Sequence, residues 1–342
     1  MARGLLIIKT LTPTHPGAGT SLGAIDLMLQ REVTTDFPFI QASTLKGSIR
    51  AHLERQPVND KDLAQRLLDL IKSSEDNDLK EEVKNLTPDK MTVFKARALV
   101  QKMVKSGKEV KEFKQLYQDL DKVFGSYDPD RGVKKGALVI SDASLLFYPV
   151  RSLKGLYALV TCPEILRRLN MPHINLGIPD NLLDIREKDI VKALSSTKSS
   201  YEINERIYFE DLNFLVETLN DNDLNWIKEK LGLDEGIKAR LFIVHDDIFR
   251  YFVKFATQVM SRNKIDYNTG TVDKKIGGIW TEEHLPPETY LFSYLEDDGK
   301  LVDGSKPAFD WLKSKFSSSN VIHLGRSETV GKGFVELRFK GL

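Results

Sequence analysis

The chain has 342 residues, 41% hydrophobic and 29% charged, with a formal net charge of +1. That suffices for one large or two ordinary globular domains, contains no apolar run of the ~18 residues that a membrane span needs, and excludes a protein coated in basic patches. A single cysteine, Cys162, excludes an internal disulfide and a cysteine metal cluster and points to the cytoplasm.

In chain order, residues 4–11 predict a buried first strand and not a signal peptide, because no small-residue cleavage site follows. Residues 12–42 hold three prolines and several glycines, threonines and serines. They predict an irregular loop with a short extended piece at 27–33, and the apolar residues inside it favour an ordered, functional loop. In STLKGSIRAHLE, 43–54, Ser43 is a suitable N-cap, and Leu45, Ile49 and Leu53 form a helical core stripe. Gly47 should cost that helix about 1 kcal/mol relative to alanine, a cost tolerated where something must approach the backbone. Lys46 and Arg50, four apart, form a phosphate seat near the positive helix end.

Residues 59–123 read as a helical insertion with breaks near 74–78, 85–89 and 106–108. Residues 134–163 return to strands, and 164–236 read as mixed and mainly helical. A strand at 239–247 leads into an amphipathic helix at 247–261. Residues 265–286 read as a long β-arm with a turn at Asn268–Gly270. A strand at 289–296, a helix at 306–316 and a last strand close the chain. Strand, helix, strands, helix, strand predicts an α+β fold, a ferredoxin-like core of the kind that RNA-recognition domains share, within one decorated domain over 1–342.

Charge is uneven along the chain. Residues 90–115 carry a net +6, residues 131–155 a net +4 and residues 204–223 a net −5. This distribution suits nucleic acid on one face and a like subunit on another, although solvated helix faces explain 90–115 equally well.

LGRSETVGKGF, 324–334, is a glycine-rich loop, but not a Walker A loop. Five residues separate Gly325 from Gly331, Gly333 stands where a magnesium-binding hydroxyl belongs, and a strand follows instead of a helix. Its glycines admit another backbone, and Lys332 adds a charge. None of the six histidines has metal-ligand spacing. His245-Asp246-Asp247 could mark an HD-type phosphohydrolase, but an aspartate just before a helix is more often a cap.

TLTPTHPGAGTSLGAIDLMLQRE, FPFIQASTLKGSIRAHLE, FYPVRSLKGLYALVTCP, TGTVDKKIGGIWTEEHLP and GRSETVGKGF occur in this order. Together they resemble the repeated backbone subunits of type III-B CRISPR (Cmr) effector complexes, within the RAMP superfamily of RNA-binding proteins. Arg326 stands where such loops often carry a second glycine. The resemblance implies a palm with helical insertions and a projecting β-hairpin thumb at 265–286. It implies a filament of copies along a guide crRNA beside other effector subunits, and no membrane. It also implies cleavage of complementary target RNA at regular intervals, dependent on a divalent metal, Mg or Mn, in antiviral defence.

The residues to which these roles fall are as follows. Asp26 is the catalytic aspartate, as base, metal ligand or positioning group. His15 either assists as acid or base or organises the loop, and Glu282 and Glu283 are weaker candidates as rim charges. Ser43, Lys46, Gly47, Arg50, Arg151, Lys154, Arg326, Gly331, Lys332 and Gly333 are candidate contacts to RNA backbone, which a filament following any sequence must read in preference to base edges. Tyr267, Ile276, Ile279 and Trp280 on the thumb could wedge between base pairs. The competing readings are a non-catalytic RNA-binding scaffold and a phosphohydrolase centred on His245.

Overall fold

The run LLII becomes the middle of β1 (Arg3–Thr10), where Leu5, Leu6, Ile7 and Ile8 are each at most 1% exposed. A strand buried on both faces reads as a continuous apolar run and not as an alternation. The computed structural model describes residues 3–17, 19, 25–108, 110–128, 132–170, 176–183, 185, 190–196, 200–272, 278–317 and 319–342. The chain divides into two compact units, one formed by residues 46–139 and 296–319, the other by 3–45, 140–295 and 320–342.

The larger unit is built on a mixed sheet. After β1 come β2 (Ala143–Arg151), β3 (Tyr157–Thr161), β4 (Lys192–Ser195), β5 (Arg206–Phe209), β6 (Leu212–Thr218), β7 (Leu241–Val244), β8 (Gln258–Asn263), β9 (Ile279–His284), β10 (Tyr290–Asp297), β11 (Val321–His323) and β12 (Phe334–Gly341). The sheet order is β11-β12-β1-β10-β2-β3-β7-β4-β6-β5. β1 and β12 run antiparallel from Gly4 opposite Gly341 to Thr10 opposite Val335, and β11 pairs with the other side of β12 at the sheet's edge. β7 runs parallel to β3 and antiparallel to β4. β8 and β9 form a separate antiparallel hairpin from Gln258 opposite His284 to Asn263 opposite Ile279.

The smaller unit has its own core. Helices Lys61–Lys72, Asn77–Val83 and Val93–Lys105 are N-capped by Asp60, Asp76 and Thr92, each accepting from a backbone N–H two or three residues into its helix. Leu63, Leu67 and Ile71, at helical spacing, pack with Leu79, Val83, Leu99 and Met103, all buried. Of the expected breaks, that at 85–89 falls between the second and third helices, that at 74–78 runs two residues into the second, and that at 106–108 follows the third.

Three expectations are corrected. The helix expected at 247–261 ends at Phe255, and residues 258–263 are β8 instead. The arm therefore begins before 265, because cross-strand pairing with β9 overrides the apolar spacing of Val259 and Met260. Residues 164–236, expected to be mixed and mainly helical, hold β4, β5 and β6 beside the short helices Pro163–Leu169 and Asn225–Glu229. β4 lies parallel to β6, a long-range pairing that local periodicity does not carry. Finally, the first helix runs Ala42–Glu54, so Ser43 sits inside the first turn and is not its cap. The Ala42 N–H is met by the Asp142 carboxylate at 2.7 Å. No helix among the described residues is long and apolar enough to cross a membrane. Ile276 lies outside the described residues.

Candidate active site

The irregular loop after β1 is laid against the arm of the larger unit. Leu27 N–H donates to Thr281 O at 3.1 Å, and Glu283 N–H donates back to Leu27 O at 2.9 Å, so the loop runs beside β9 as a short parallel strand. Thr14 and Leu285 exchange both backbone hydrogen bonds as an antiparallel bridge, at 3.0 and 2.8 Å. The sequence-level expectation of an ordered loop with an extended piece near 27–33 holds for these residues.

Asp26 sits at the start of that pairing, exposed. Its Oδ2 accepts the Thr281 N–H at 2.8 Å and the Thr281 hydroxyl at 2.9 Å, while its own N–H donates to Thr281 Oγ1 at 3.1 Å. The backbone and hydroxyl bonds from Thr281 hold the carboxyl below the usual aspartate range. Oδ1 has no hydrogen-bond partner among the described residues. The site thus presents an ionised carboxylate with one oxygen anchored and the other without a partner among the described residues.

Beneath it lies a buried polar cluster. Glu283, 2% exposed, accepts the Leu29 N–H at 2.9 Å and pairs with Arg31, whose guanidinium also donates to Val253 O and Asp36 O. Removing one partner of such a buried pair costs about 3–5 kcal/mol. His15 is 2% exposed, and its Nδ1 lies 2.6 Å from Glu283 O. A Cβ on Gly17 would collide with His15 Nε2, so this glycine lets the loop close over the ring. Among the two readings of His15, the geometry fits loop organisation. Glu282 and Glu283, expected as rim charges, are instead 6% and 2% exposed. Strand alternation directs Glu282 to the opposite face of β9 from Thr281 and Glu283.

On that opposite face, Trp280 Nε1 donates to Glu282 at 2.8 Å, and Arg262 pairs with Glu282 at 3.2 Å while donating to Ser327 at 3.0 Å. Burial raises the Glu282 carboxyl, but the Trp280 and Arg262 bonds outweigh it and leave it below its ordinary value. His284 is fully buried, 3.4 Å from Glu282, with no hydrogen bond to either ring nitrogen among the described residues. Burial, with Lys332 and His15 nearby, lowers its pKa to about 4, so the ring is neutral at pH 7.

The glycine loop packs here as well. Gly331, Lys332 and Gly333 N–H groups donate to Glu328 O, Ser327 O and Pro13 O. These three amides are therefore spent on protein carbonyls. The Lys332 ammonium contacts the Met260 sulfur, and burial followed by Arg262 lowers its pKa. Arg326 is exposed. Gly333 has φ +78°, and a Cβ there would overlap Leu324 O. Gly331, at φ +75°, has open space on that side.

The other candidate RNA contacts are placed as follows. Lys46, Gly47 and Arg50 belong to the smaller unit. Lys46 donates to Leu138 O at 2.8 Å, and burial, then Arg50 and Lys135, lower its pKa. Arg50 bonds Glu54, Gly125 O and Asp121, and Arg97 bridges the same two carboxylates. Gly47 and Ser43 are exposed, and nothing lies within 4 Å of a Cβ built on Gly47. Arg151, exposed, pairs with Glu210, and Lys154 donates to Glu202 O at 3.2 Å. On the arm, Tyr267 is fully exposed and Ile279 is 67% exposed, as a projecting wedge requires. Trp280 is half-buried against Glu282. His245 caps the helix Asp246–Phe255 by accepting the Asp247 N–H at 3.2 Å, while Asp246 pairs with Arg167. The expected aspartate cap is thus a histidine cap, and these three residues serve helix and surface contacts instead of a metal site.

Sequence reasoning missed Thr281, Arg31, Arg262 and His284. The alternation in IWTEEH carried a signal: it sorts Ile279, Thr281 and Glu283 from Trp280, Glu282 and His284.

Residues 7–336 match the RAMP superfamily. The CRISPR system Cmr endoribonuclease Cmr4 of Pyrococcus furiosus is 29% identical over 342 aligned residues, covering 98% of this chain and 95% of that protein. The CRISPR system CMR subunit Cmr4 of Saccharolobus solfataricus is 25% identical, covering 97% and 94%. Among solved structures, oligomeric Cmr4 from Pyrococcus furiosus superposes with a TM-score of 0.60 at 24% identity, over 100% and 99% of the two chains. A chain of the type III-B Cmr-beta complex bound to cognate target RNA gives 0.66 at 21% identity, over 99% and 97%. The fold is therefore the mixed α+β fold of these structures.

Proposed function

The chain belongs to the RAMP superfamily, and from that premise we propose that it is the RNA-guided endoribonuclease of a type III-B CRISPR effector complex. It binds guide crRNA as a backbone subunit, stacks with copies of itself and other effector subunits, and cuts complementary target RNA in the cytoplasm during antiviral defence. Full-length similarity to a Cmr endoribonuclease supports this reading. So does similarity in fold to an oligomeric relative and to a target-bound complex. The strand order β12-β1-β10-β2, with helices Ala42–Glu54 and Ala308–Lys315 in the two crossovers along the chain, fits a ferredoxin-like palm. The β8–β9 hairpin is the thumb.

The observation that carries the reading is the placement of Asp26. Its anchor, Thr281, and the exposed Ile279 are two residues apart on β9. They share a face about 7 Å apart at the rise of a strand. A nucleotide splayed by Ile279 and Tyr267 thus comes beside the Asp26 carboxylate, whose Oδ1 has no partner among the described residues. In the reaction, the 2′-OH of the nucleotide 5′ to the scissile phosphate attacks phosphorus. Asp26 Oδ1 positions that hydroxyl or takes its proton, the P–O5′ bond breaks, the 5′-oxygen leaves as a hydroxyl with a proton from water, and a 2′,3′-cyclic phosphate remains on the other product.

A divalent ion fits this donor set only as a shared ion. Among the described residues, no three acidic, histidine or cysteine side chains gather to hold a metal. Asp26 Oδ1 would supply one oxygen, and RNA phosphates and water the rest, as magnesium commonly arranges. When bound, such an ion offsets charge on the phosphate. Lys332 and Arg262 carry positive charge on the opposite face of the arm.

The test is reconstitution of the complex with crRNA and either a complementary or a scrambled RNA. Cutting at regular intervals in the complementary RNA alone is expected. Binding without any cutting would leave the non-catalytic scaffold as the correct reading.

A further inference from the structure

Asp26 lies on an irregular loop, where a short side chain ordinarily samples several rotamers. Here one residue restrains it three times. Thr281 N–H and Oγ1–H both reach Asp26 Oδ2, and the same Oγ1 accepts the Asp26 N–H. One hydroxyl oxygen therefore ties the backbone and the carboxylate of Asp26 together, which fixes the direction of the carboxyl plane. The third residue in the ladder, Leu27, is paired to Thr281 O, so the loop cannot slide along β9 without breaking these bonds.

We propose that Thr281 is a positioning residue for RNA cleavage, its hydroxyl and amide holding Asp26 so that Oδ1 alone faces the substrate. This rests on the reading of Asp26 as the cleaving group. Thr281 is half-buried on the two-stranded arm, opposite Ser261. Valine has the same shape and suits a strand as well as threonine. A merely structural role thus predicts little change in Thr281→Val, whereas a positioning role predicts lost catalysis with intact binding. The Thr281 amide persists in the variant, so the carboxylate is loosened and not released. Since a misplacement of about 1 Å can cost 10²-fold, a loss of about tenfold is expected.

The experiment assembles the complex with the wild-type chain, Thr281→Val, Thr281→Ser or Asp26→Asn. It measures the single-turnover cutting rate at saturating target and, separately, target affinity. Thr281→Val should cut about tenfold more slowly at unchanged affinity, and Thr281→Ser, which keeps the hydroxyl, should return most of the rate. Wild-type cutting by Thr281→Val alongside an inactive Asp26→Asn overturns the positioning role and leaves the reading of Asp26 intact. Equal loss in the valine and serine variants, with affinity falling too, also overturns it. Normal cutting by Asp26→Asn overturns the cleavage reading itself.

Discussion

Acid should destabilise this protein through His284 in a way that a single substitution removes. The ring is fully buried, lacks a hydrogen bond at either nitrogen among the described residues, and has a pKa of about 4, lowered first by burial and then by Lys332 and His15. In the unfolded chain a histidine titrates near 6.5. Between these values the unfolded state binds a proton that the folded state refuses, so stability is complete above about pH 6.5 and is lost as pH falls toward 4. The gap of about 2.5 pH units corresponds to about 3 kcal/mol, an order-of-magnitude figure. In His284→Phe, which keeps a buried ring and cannot protonate, that part of the loss should vanish. Urea midpoints of wild type and variant, measured from pH 7.5 to 4.5, should converge or cross as the wild type weakens faster. Parallel loss in the two proteins would refute the buried neutral ring, and the carboxylates would then carry the acid response.

The glycine loop separates strain from collision. Gly331→Ala, with φ +75° and open space, should cost about 1 kcal/mol, whereas Gly333→Ala, which also strikes Leu324 O, should cost about 2–4 kcal/mol in thermal unfolding. Tyr267→Ala with Ile279→Ala should change stability by less than about 0.5 kcal/mol per site, because both side chains are exposed, yet shift the position or efficiency of cutting. Lys46→Ala should weaken guide binding alike for all sequences and reduce its salt slope by about one unit. Loss confined to particular sequences would contradict a backbone role. Arg50→Ala should in addition destabilise the smaller unit, since Arg50 holds Glu54 and Asp121.

The α+β class, the buried first strand, the helices of the insertion and the second strand of the arm were legible in apolar period and turn residues. The β5–β6 hairpin was not, because it turns through Glu210-Asp211 with no glycine, asparagine or proline to mark it, and β4 was not, because its partners β6 and β7 lie far away in sequence. Helix periodicity in Val259 and Met260 lost to cross-strand pairing for the same reason. Asp26 was legible as a loop carboxylate beside apolar neighbours, and only the resemblance singled it out. Its anchor was not legible: Thr281 is 255 residues away, and a threonine on a strand carries no signal of its partner. Glu282 and Glu283 looked like rim charges because acidic residues rarely bury unpaired. Each is buried beside an arginine, Arg262 or Arg31, that sequence spacing does not bring near.

The measurement that tests the account most directly is target cutting by the assembled complex with Asp26→Asn, alongside the wild-type complex on a target carrying a single 2′-deoxy residue at one cut site. Asp26→Asn keeps the shape and removes the charge, so binding should persist while cutting falls by about 10²-fold or more. The deoxy position alone should resist the wild-type complex, and products elsewhere should end in a 2′,3′-cyclic phosphate. Full-rate cutting by Asp26→Asn, or normal cutting at the deoxy position, would contradict a carboxylate acting on the substrate's own hydroxyl.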